Sequence, residues 1–319
     1  MIDEPVIRIT SIDLGTRVEV RDLHDLLDYR YAAGEFSLVK AALALSGFSP
    51  ASAPWPDDVT LPEMLARFGG GIELTTLAAV PKGSGLGTSS IMGAVVLAVI
   101  QRVMGRTPTR RELFNAVLRL EQALTTGGGW QDQVGGVVGD VKVITTDPGL
   151  VPDPRIHFVP NDVLDPKANG GQTLLYYTGI TRLAKNILRQ VVGRYLDRDR
   201  TAMATLRQLH RLPPLVAESM SRKDAATFGA LVDLAWSLNK QLDADSTTEA
   251  IDALLARVRP HIYGAKLLGA GGGGFLLMIC KSPEDAEAVK RMLQADPPND
   301  RARFFDFNVS REGLVVTVC

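Results

Sequence analysis

The fold is decided by the stretch Pro81-Lys82-Gly83-Ser84-Gly85-Leu86-Gly87-Thr88-Ser89-Ser90. An alternating strand pattern over 72–77 precedes it, and an apolar helix pattern over 91–100 follows it. Glycines let the backbone bend at positive φ and let a ligand approach the main chain. The free N–H groups and the positive dipole end of the following helix favour an anion. The stretch therefore predicts a phosphate-binding loop, and the alternative is a surface loop rich in glycine and serine.

Two common nucleotide-binding patterns are absent from this loop. The pattern Gly-x4-Gly-Lys-[Ser/Thr] does not occur, because the lysine, Lys82, precedes the glycines. The third glycine of the dinucleotide fingerprint is also missing from its place, and the strand before the loop alternates instead of being fully apolar. The loop therefore belongs to neither the common P-loop NTPases nor the dinucleotide-binding folds.

Composition narrows the class of protein. A chain of 319 residues is long enough for one large domain or two of about 150 residues. Its net charge of −1 argues against a nucleic-acid or anionic-membrane surface. The longest apolar runs are too short to span a bilayer, and the first 20 residues show no signal-peptide pattern. Because Cys280 and Cys319 form no disulfide framework and the four histidines are scattered, we expect a reducing, cytoplasmic location.

Strand and helix periodicities both occur along the chain, which predicts a mixed structure. Thr109 and Glu112 have the capping-box spacing that opens a helix over 110–124. A proline-bearing segment over 147–166 precedes a mainly helical second half, so we place a domain boundary near residue 165. Further predicted strands cover 6–15, 139–145, 172–177, 275–280, 303–309 and 313–318, and further predicted helices cover 36–46, 61–67, 182–196, 198–211, 214–219, 224–242 and 247–258.

Two acidic residues are candidates for chemistry. Glu121 falls in the last turn of the helix over 110–124, where the helix dipole disfavours a negative charge. A divalent cation would compensate that charge, and so would a salt bridge to Arg119 or Lys142. Asp132 lies eleven residues further on, among glutamines and glycines, and could either project into a cleft or stabilise a turn.

The loop resembles the second motif of the GHMP small-molecule kinases, the superfamily of galactokinase, homoserine kinase and mevalonate kinase. Their pattern is roughly Pro-x-Gly-[Ser/Ala]-Gly-Leu-Gly-[Ser/Thr]-Ser. The resemblance implies an α+β fold of two domains, a ribosomal protein S5-like N-terminal half over 1–165 and a GHMP kinase C-terminal domain over 166–319. It implies ATP and Mg²⁺ as ligands, with ATP held by Lys82, Gly83, Ser84, Gly85, Leu86, Gly87, Thr88, Ser89 and Ser90.

The resemblance also assigns the two acids. In the superfamily, the second serine of the loop and a glutamate at a helix end bind Mg²⁺, which implies Ser89 and Glu121. An aspartate about eleven residues beyond that glutamate lies near the substrate hydroxyl as its general base or as an electrostatic orienter, which implies Asp132. Phosphoryl transfer needs little beyond positioning, a metal and such a group.

A second glycine-rich turn precedes the strand over 275–280. Five of the six positions over 269–274 are glycine, which indicates either a tight hairpin or backbone packed against another loop. It resembles the third superfamily motif, which packs against the phosphate loop and orders it. The resemblance thus implies a loop-supporting role for Gly269, Ala270, Gly271, Gly272 and Gly273.

Within the superfamily, the motifs most resemble those of fucokinases, including the kinase half of bifunctional fucokinase/GDP-fucose pyrophosphorylases. Matching stretches lie over 68–74, 83–90 and 120–136, and a fourth over 177–184 is shared with heptose-7-phosphate kinases. The implied reaction is transfer of the ATP γ-phosphoryl to the anomeric hydroxyl of L-fucose. The implied partners are this sugar, ATP and a GDP-fucose pyrophosphorylase domain or chain, without nucleic acid or membrane. The sugar-site residues implied are Trp130, Gln131, Tyr177 and Arg182.

One departure from the family pattern concerns the first superfamily motif, which carries Gly-Gly-Trp-[Ser/Thr]-Asp and should precede the strand over 6–15 by a few tens of residues. It does not occur in the chain. Because that segment supplies the first strands and an aspartate of the sugar pocket, we expect a kinase domain without its start that binds ATP but does not appreciably phosphorylate fucose. The alternatives are a heptose-7-phosphate-type kinase, with Arg182 and Lys185 as its phosphate-binding cluster, and a non-catalytic nucleotide-binding fragment that acts through a partner chain.

Overall fold

The computed structural model describes residues 1–31, 34, 36–81, 83–124, 129–149, 151–180 and 184–318, with the backbone alone for 184–188. The chain divides into two compact units. Unit 1 comprises Met1–Lys82, Thr88–Val137 and Leu314–Cys319, and unit 2 comprises Gly83–Gly87 and Val138–Gly313. Each unit combines helices with a sheet, which confirms the predicted α+β class. The units part after Val137, and the domain boundary near residue 165 stays a prediction.

Unit 1 contains a three-stranded sheet with β1 (Ile7–Ser11) in the centre. Strand β2 (Thr16–Val20) runs antiparallel to β1, and β3 (Ile72–Thr76) runs parallel to it. Alternate residues of β1 are buried, so one face of the sheet meets the core. Parallel strands need a crossover connection, and here it contains α1 (Leu23–Leu27), a 3₁₀ turn (Asp28–Arg30), α2 (Ser37–Leu45) and α3 (Leu61–Phe68).

Three further helices of unit 1 contact one another: α4 (Thr88–Val103), α5 (Arg110–Ala123) and α6 (Gln131–Val137). Helix α5 begins with the predicted capping box. The Thr109 hydroxyl accepts from the backbone N–H of Glu112 at 3.2 Å, and the Glu112 carboxylate accepts from the backbone N–H of Thr109 at 2.7 Å. The cap fixes where α5 starts, and because the helix ends at Ala123, Glu121 lies in its last turn.

Unit 2 contains an antiparallel sheet in the order β7-β8-β6-β9. Its strands are β6 (Thr173–Tyr177), β7 (Ile262–Leu267), β8 (Phe275–Cys280) and β9 (Arg303–Phe305), and a separate antiparallel pair is formed by β4 (Lys142–Thr145) and β5 (Arg155–Phe158). The central strand β8 is almost entirely buried, as its continuous apolar sequence requires.

The described helices of unit 2 are α7 (Ala184–Leu196), α8 (Arg200–Ser221), α9 (Ala225–Leu242), α10 (Glu249–Val258) and α11 (Pro283–Ala295), with 3₁₀ turns at Ala244–Ser246 and Arg259–His261. Helices α9, α10 and α11 supply buried residues to the core against this sheet. The core combines Trp236 of α9 and Val258 of α10 with Tyr176 and Met278 of the sheet. Among the described residues, no helix has both the length and the apolar character that crossing a membrane requires.

The predicted break between helices over 198–211 and 214–219 is wrong. Helix α8 continues through Pro213 and Pro214. A proline inside a helix removes a backbone hydrogen bond and favours a break. Here packing outweighs that cost, because α8 contacts α9 and buries Leu212 before the prolines and Met220 after them.

The predicted C-terminal strands are also largely wrong. Strand β9 pairs with β6 only over Arg303–Phe305, and the region predicted as a strand over 313–318 has no strand partner among its described residues. Val315 and Val318 are exposed there. Alternating apolar residues form a strand only where a neighbouring strand offers hydrogen bonds and burial.

Candidate active site

The glycine loop has the backbone conformation that its sequence predicts. Gly83, Gly85 and Gly87 have φ values of 73°, 81° and 66°, in the left-handed region. At Gly85 the space is closed as well, because an added Cβ would lie 2.3 Å from the carbonyl oxygen of Leu268. The site therefore excludes any side chain at this position. Lys82 lies outside the described residues.

The second glycine-rich turn is the partner of this loop. The backbone N–H of Phe275 donates to the carbonyl of Ser84 at 3.0 Å, and an added Cβ on Gly269 would lie 2.8 Å from the Cα of Gly85. The turn also reaches other backbone in unit 2, because the N–H of Gly274 donates to the carbonyl of Ile180. The structure thus brings the two motifs together through main-chain atoms. The remaining predicted support residues, Ala270, Gly271, Gly272 and Gly273, lie in the same turn.

The chain leaves the loop directly into helix α4, whose first turn holds three hydroxyl residues. Ser89 is exposed, Thr88 is half-buried and Ser90 is 3% exposed. Of the preceding loop residues, Ser84 is buried and Leu86 is half-buried. Within this turn, therefore, Ser89 presents its hydroxyl outward and Ser90 presents its own toward the interior of unit 1.

That interior holds the carboxylate of Glu121. The hydroxyl of Ser90 donates to Oε1 of Glu121 at 2.5 Å, and Nε2 of Gln133 donates to Oε2 at 2.5 Å. Glu121 is 6% exposed and Gln133 is 1% exposed. A carboxylate this far from water requires such partners. Three helices, α4, α5 and α6, thus meet at one acidic group.

A second carboxylate lies nearby on α6. Asp132 is exposed, but protein atoms crowd around it, and the resulting desolvation raises its pKa. The pKa of Glu121 is raised chiefly by burial and further by the negative charge of Asp132, while the hydrogen bonds from Ser90 and Gln133 act to lower it. Two neighbouring acids with raised pKa values are a frequent sign of a functional site.

Comparison with known proteins identifies the family. The model of the GHMP kinases N terminal domain matches residues 59–140, and the model of the GHMP kinases C terminal matches residues 216–299. The chain belongs to the GHMP kinase family. The loop, α4, α5 and α6 lie inside the N-terminal match, and the second glycine-rich turn lies inside the C-terminal one.

Two curated relatives are similar over most of this GHMP kinase chain. The L-fucokinase/L-fucose-1-P guanylyltransferase of Bacteroides fragilis is 39% identical over 309 residues, which are 97% of this chain. The bifunctional fucokinase/GDP-fucose pyrophosphorylase of Arabidopsis thaliana is 32% identical over 285 residues, which are 88% of this chain. The chain spans only 32% and 26% of the lengths of these relatives.

A solved structure shows the same fold. The galactokinase of Lactococcus lactis, complexed with galactose, superimposes with a TM-score of 0.68 over 98% of this chain and 84% of its own. At 17% sequence identity this likeness concerns the GHMP kinase fold alone. The predicted fold is thereby confirmed.

The acidic group of this GHMP kinase fits a hard divalent cation. Carboxylate and hydroxyl oxygens are the ligand atoms that Mg²⁺ prefers, and Glu121, Asp132 and the first turn of α4 supply both. The salt bridge to Lys142 considered as an alternative has no support in the described contacts of that lysine, whose Nζ donates to the backbone carbonyls of Val138, Gly139 and Asp140.

The predicted sugar-site residues differ in how far they are buried. Trp130 is half-buried just before α6, and Gln131 is exposed as its first residue. Tyr177 is buried in β6, where its ring packs against Phe275 at a centroid distance of 5.2 Å, so the structure gives it a packing role. Arg182 lies outside the described residues.

Sequence reasoning missed the partners of Glu121. Ser90 was assigned to ATP and Gln133 received no role, although both contact this carboxylate. A signal was present for Gln133, because it follows Asp132 in a short helix where successive side chains point about 100° apart. This difference in direction allows the amide of Gln133 to be buried while the neighbouring Asp132 is exposed. The identity of its partner depends on tertiary packing, which a single sequence does not reveal.

Proposed function

We propose that this chain is the kinase part of an ATP-dependent sugar kinase that phosphorylates the anomeric hydroxyl of L-fucose. The observation that carries the proposal is the pairing of Glu121 with Asp132, in a chain 39% identical to an L-fucokinase/L-fucose-1-P guanylyltransferase. The products would be fucose 1-phosphate and ADP. A cytoplasmic location belongs to the same proposal.

The loop residues 83–90 would hold the phosphates of ATP. Positive-φ glycines expose backbone N–H groups, and the start of α4 adds its dipole and its hydroxyls. The turn at 269–273 would keep the loop in this shape through the main-chain contacts described above. A branched side chain at Gly85 would disfavour the positive-φ bend of the loop and would keep the phosphates of ATP away from its backbone N–H groups.

Ser89 and Glu121 would hold Mg²⁺, which when bound neutralises charge on the phosphates. Ser89 is exposed at the first turn of α4, whereas the serine that contacts the buried carboxylate of Glu121 is the neighbouring Ser90. Asp132 would accept or orient the proton of the sugar hydroxyl. Its raised pKa brings it nearer to the range in which a carboxylate exchanges protons, and its exposed side chain is free to meet a substrate.

L-Fucose is favoured by the names of the two relatives and by the matching stretch over 120–136, which includes Glu121, Trp130 and Asp132. Both relatives also carry a second activity in their names. We therefore propose a GDP-fucose pyrophosphorylase domain or chain as the functional partner, which would consume the fucose 1-phosphate.

A heptose-7-phosphate-type sugar kinase is the second candidate, because the stretch over 177–184 is shared with those enzymes. This candidate requires a basic cluster for the substrate phosphate. Its named members, Arg182 and Lys185, fall where the side chains are not described. The third candidate is a nucleotide-binding fragment without catalysis of its own.

Two measurements separate these candidates. Calorimetry with Mg·ATP on residues 1–319 tests the nucleotide site, and absence of binding would overturn the whole proposal. ADP release with L-fucose, D-arabinose and heptose 7-phosphate tests the sugar. Preference for heptose 7-phosphate would favour the second candidate, and ATP binding without turnover of any of these sugars would favour the third.

A further inference from the structure

The amide of Gln133 is fixed by two hydrogen bonds. Nε2 donates to Oε2 of Glu121 at 2.5 Å and to the backbone carbonyl of Gly129 at 3.1 Å. Both N–H groups of the amide are therefore used, which defines its orientation. The side chain is 1% exposed, and Oε1 has no hydrogen-bond partner among the described residues.

This arrangement is costly unless it serves the carboxylate. A buried amide that leaves one oxygen unpaired loses the hydration of that oxygen. An apolar residue would suit the buried face of α6 better, since its other buried members are Val134 and Val137. The charge-assisted hydrogen bond from Gln133 to the Glu121 carboxylate offsets this loss of hydration, because such a bond is stronger than one between neutral groups.

The carboxylate is held at both ends. Ser90 donates to one oxygen and Gln133 to the other, which fixes the plane of the group. These two contacts set the orientation in which the carboxylate would face a cation.

Gln133 also contributes to where Asp132 points. Successive residues of a helix differ by about 100° in direction. The buried face of α6 contains Gln133, which is bonded to Glu121 on α5, together with Val134 and Val137, and Asp132 lies outside this face and is exposed. Gln133 thus contacts the Glu121 carboxylate and is the sequence neighbour of Asp132.

From these contacts we infer that Gln133 is a positioning residue that holds Glu121 in the orientation needed for a divalent cation and sets Asp132 beside it. The inference rests on the proposed function for the identity of the ligand, Mg·ATP. Residues that orient a metal-binding carboxylate typically change metal affinity about 10- to 100-fold when they are replaced.

The test is Gln133→Met, which removes the amide and keeps the length of the side chain. ATP affinity is measured by calorimetry in Mg²⁺ and in EDTA. We expect affinity for Mg·ATP to fall about 10- to 100-fold, while metal-free ATP binds within about twofold of the parent. The matched control is Gln122→Met on α5, an exposed glutamine next to Glu121, which should change neither affinity.

A double-mutant cycle with Glu121→Gln gives a second readout. If Gln133 acts through Glu121, Gln133→Met should have little further effect on Mg·ATP affinity in the Glu121→Gln background. Additive losses would overturn the inference, as would equal losses with and without Mg²⁺. Gln133→Asn, whose amide is one carbon too short to reach Glu121, serves as the second variant, and failure of both variants to fold would show a purely structural role.

The parent chain separates this inference from the proposed function. If the parent binds ATP no better with Mg²⁺ than without it, the proposed metal site is wrong. If the parent shows the Mg²⁺ dependence and Gln133→Met retains it in full, the proposed function stands and the positioning role is wrong.

Discussion

The carboxyl group of Asp132 lies close enough to that of Glu121 for its negative charge to raise the pKa of Glu121. The two acids belong to successive helices, and one is buried while the other is exposed. Like charges at short range are unfavourable unless a proton or a cation is shared. This relationship makes the pair sensitive to substitution in ways that can be measured without a substrate.

Asp132→Asn should lower the pKa of Glu121. The amide is nearly isosteric but carries no charge, so ionisation of Glu121 loses the repulsion that now opposes it. The carboxyl ¹³C resonance of Glu121, assigned with Glu121→Gln, reports this titration directly. Asp25→Asn on α1 is the control, because no charge from that residue contributes to the shift of Glu121. A Glu121 titration that is the same in Asp132→Asn and in the parent would contradict the pairing.

The same Asp132→Asn change should reduce turnover by about 10²-fold or more in a form of the enzyme that phosphorylates sugar, with ATP affinity retained. The amide cannot accept the hydroxyl proton or favour its partial positive charge. Steady-state ADP release and Mg·ATP calorimetry on the same preparation separate the two effects. Turnover close to that of the parent would remove Asp132 from the catalytic role.

Glu121→Gln should weaken Mg²⁺-dependent ATP binding, because it replaces an anionic ligand by a neutral one. Binding of ATP in EDTA should be unchanged. A Glu112→Gln variant is a matched control at the other end of α5, where the carboxylate caps the helix and costs stability instead of metal affinity when replaced. Parent-like affinity for Mg·ATP in Glu121→Gln would favour a structural role for Glu121.

Gly85→Val should abolish ATP binding. The residue has φ +81°, and a Cβ would lie 2.3 Å from the carbonyl of Leu268, so the loop would have to separate from the second glycine-rich turn. Gly105→Val isolates backbone strain, because Gly105 has φ +73° with no atom within 4 Å of an added Cβ. We expect Gly105→Val to bind ATP normally. Unchanged affinity in a folded Gly85→Val would remove the loop from the nucleotide site.

Lys266 should give the chain a stability that rises with pH in the alkaline range. Burial lowers its pKa from 10.5 to about 8, with Nζ donating to the carbonyl of Leu267. Between these values the unfolded chain binds more protons than the folded one, so raising the pH favours folding, by up to about 3 kcal/mol. Below pH 8 this gain is absent.

Urea unfolding at pH 7.5 and pH 10 checks the effect. Half-buried Lys142, with a lowered pKa, contributes in the same direction, and buried Cys280, with a raised pKa, contributes in the opposite direction. Relative to the parent, Lys266→Met should therefore show a smaller gain in the free energy of unfolding between these pH values, whereas Lys167→Met, at an exposed lysine, should match the parent. Equal pH dependence in Lys266→Met and the parent would show that Lys266 is not the responsible group.

Local signals predicted much of the fold. The capping box at Thr109 set the start of α5, and the continuous apolar run of β8 was recognised over its full length, because both depend on neighbours in sequence. The path of α8 through Pro213 was missed, since packing on α9 overrides the local preference for a break.

The candidate site was predictable in its composition but not in its contacts. The spacing and the family resemblance drew attention to Glu121 and Asp132, yet the donors to Glu121 come from two other helices. Ser90 and Gln133 are far from each other in sequence and meet only once α4, α5 and α6 have packed. A tertiary contact of this kind produces no periodic pattern in a single sequence.

The main-chain contact between Gly85 and Gly269 has a consequence for the order in which the protein can mature. The two segments are separated by most of unit 2 in the sequence, and the turn that includes Gly269 lies between β7 and β8, near the end of the chain. During synthesis, the early loop therefore leaves the ribosome long before the strands that shape it. A nascent chain that stops before β8 would hold an unformed loop, and the loop should reach its final shape only when β7 and β8 have paired.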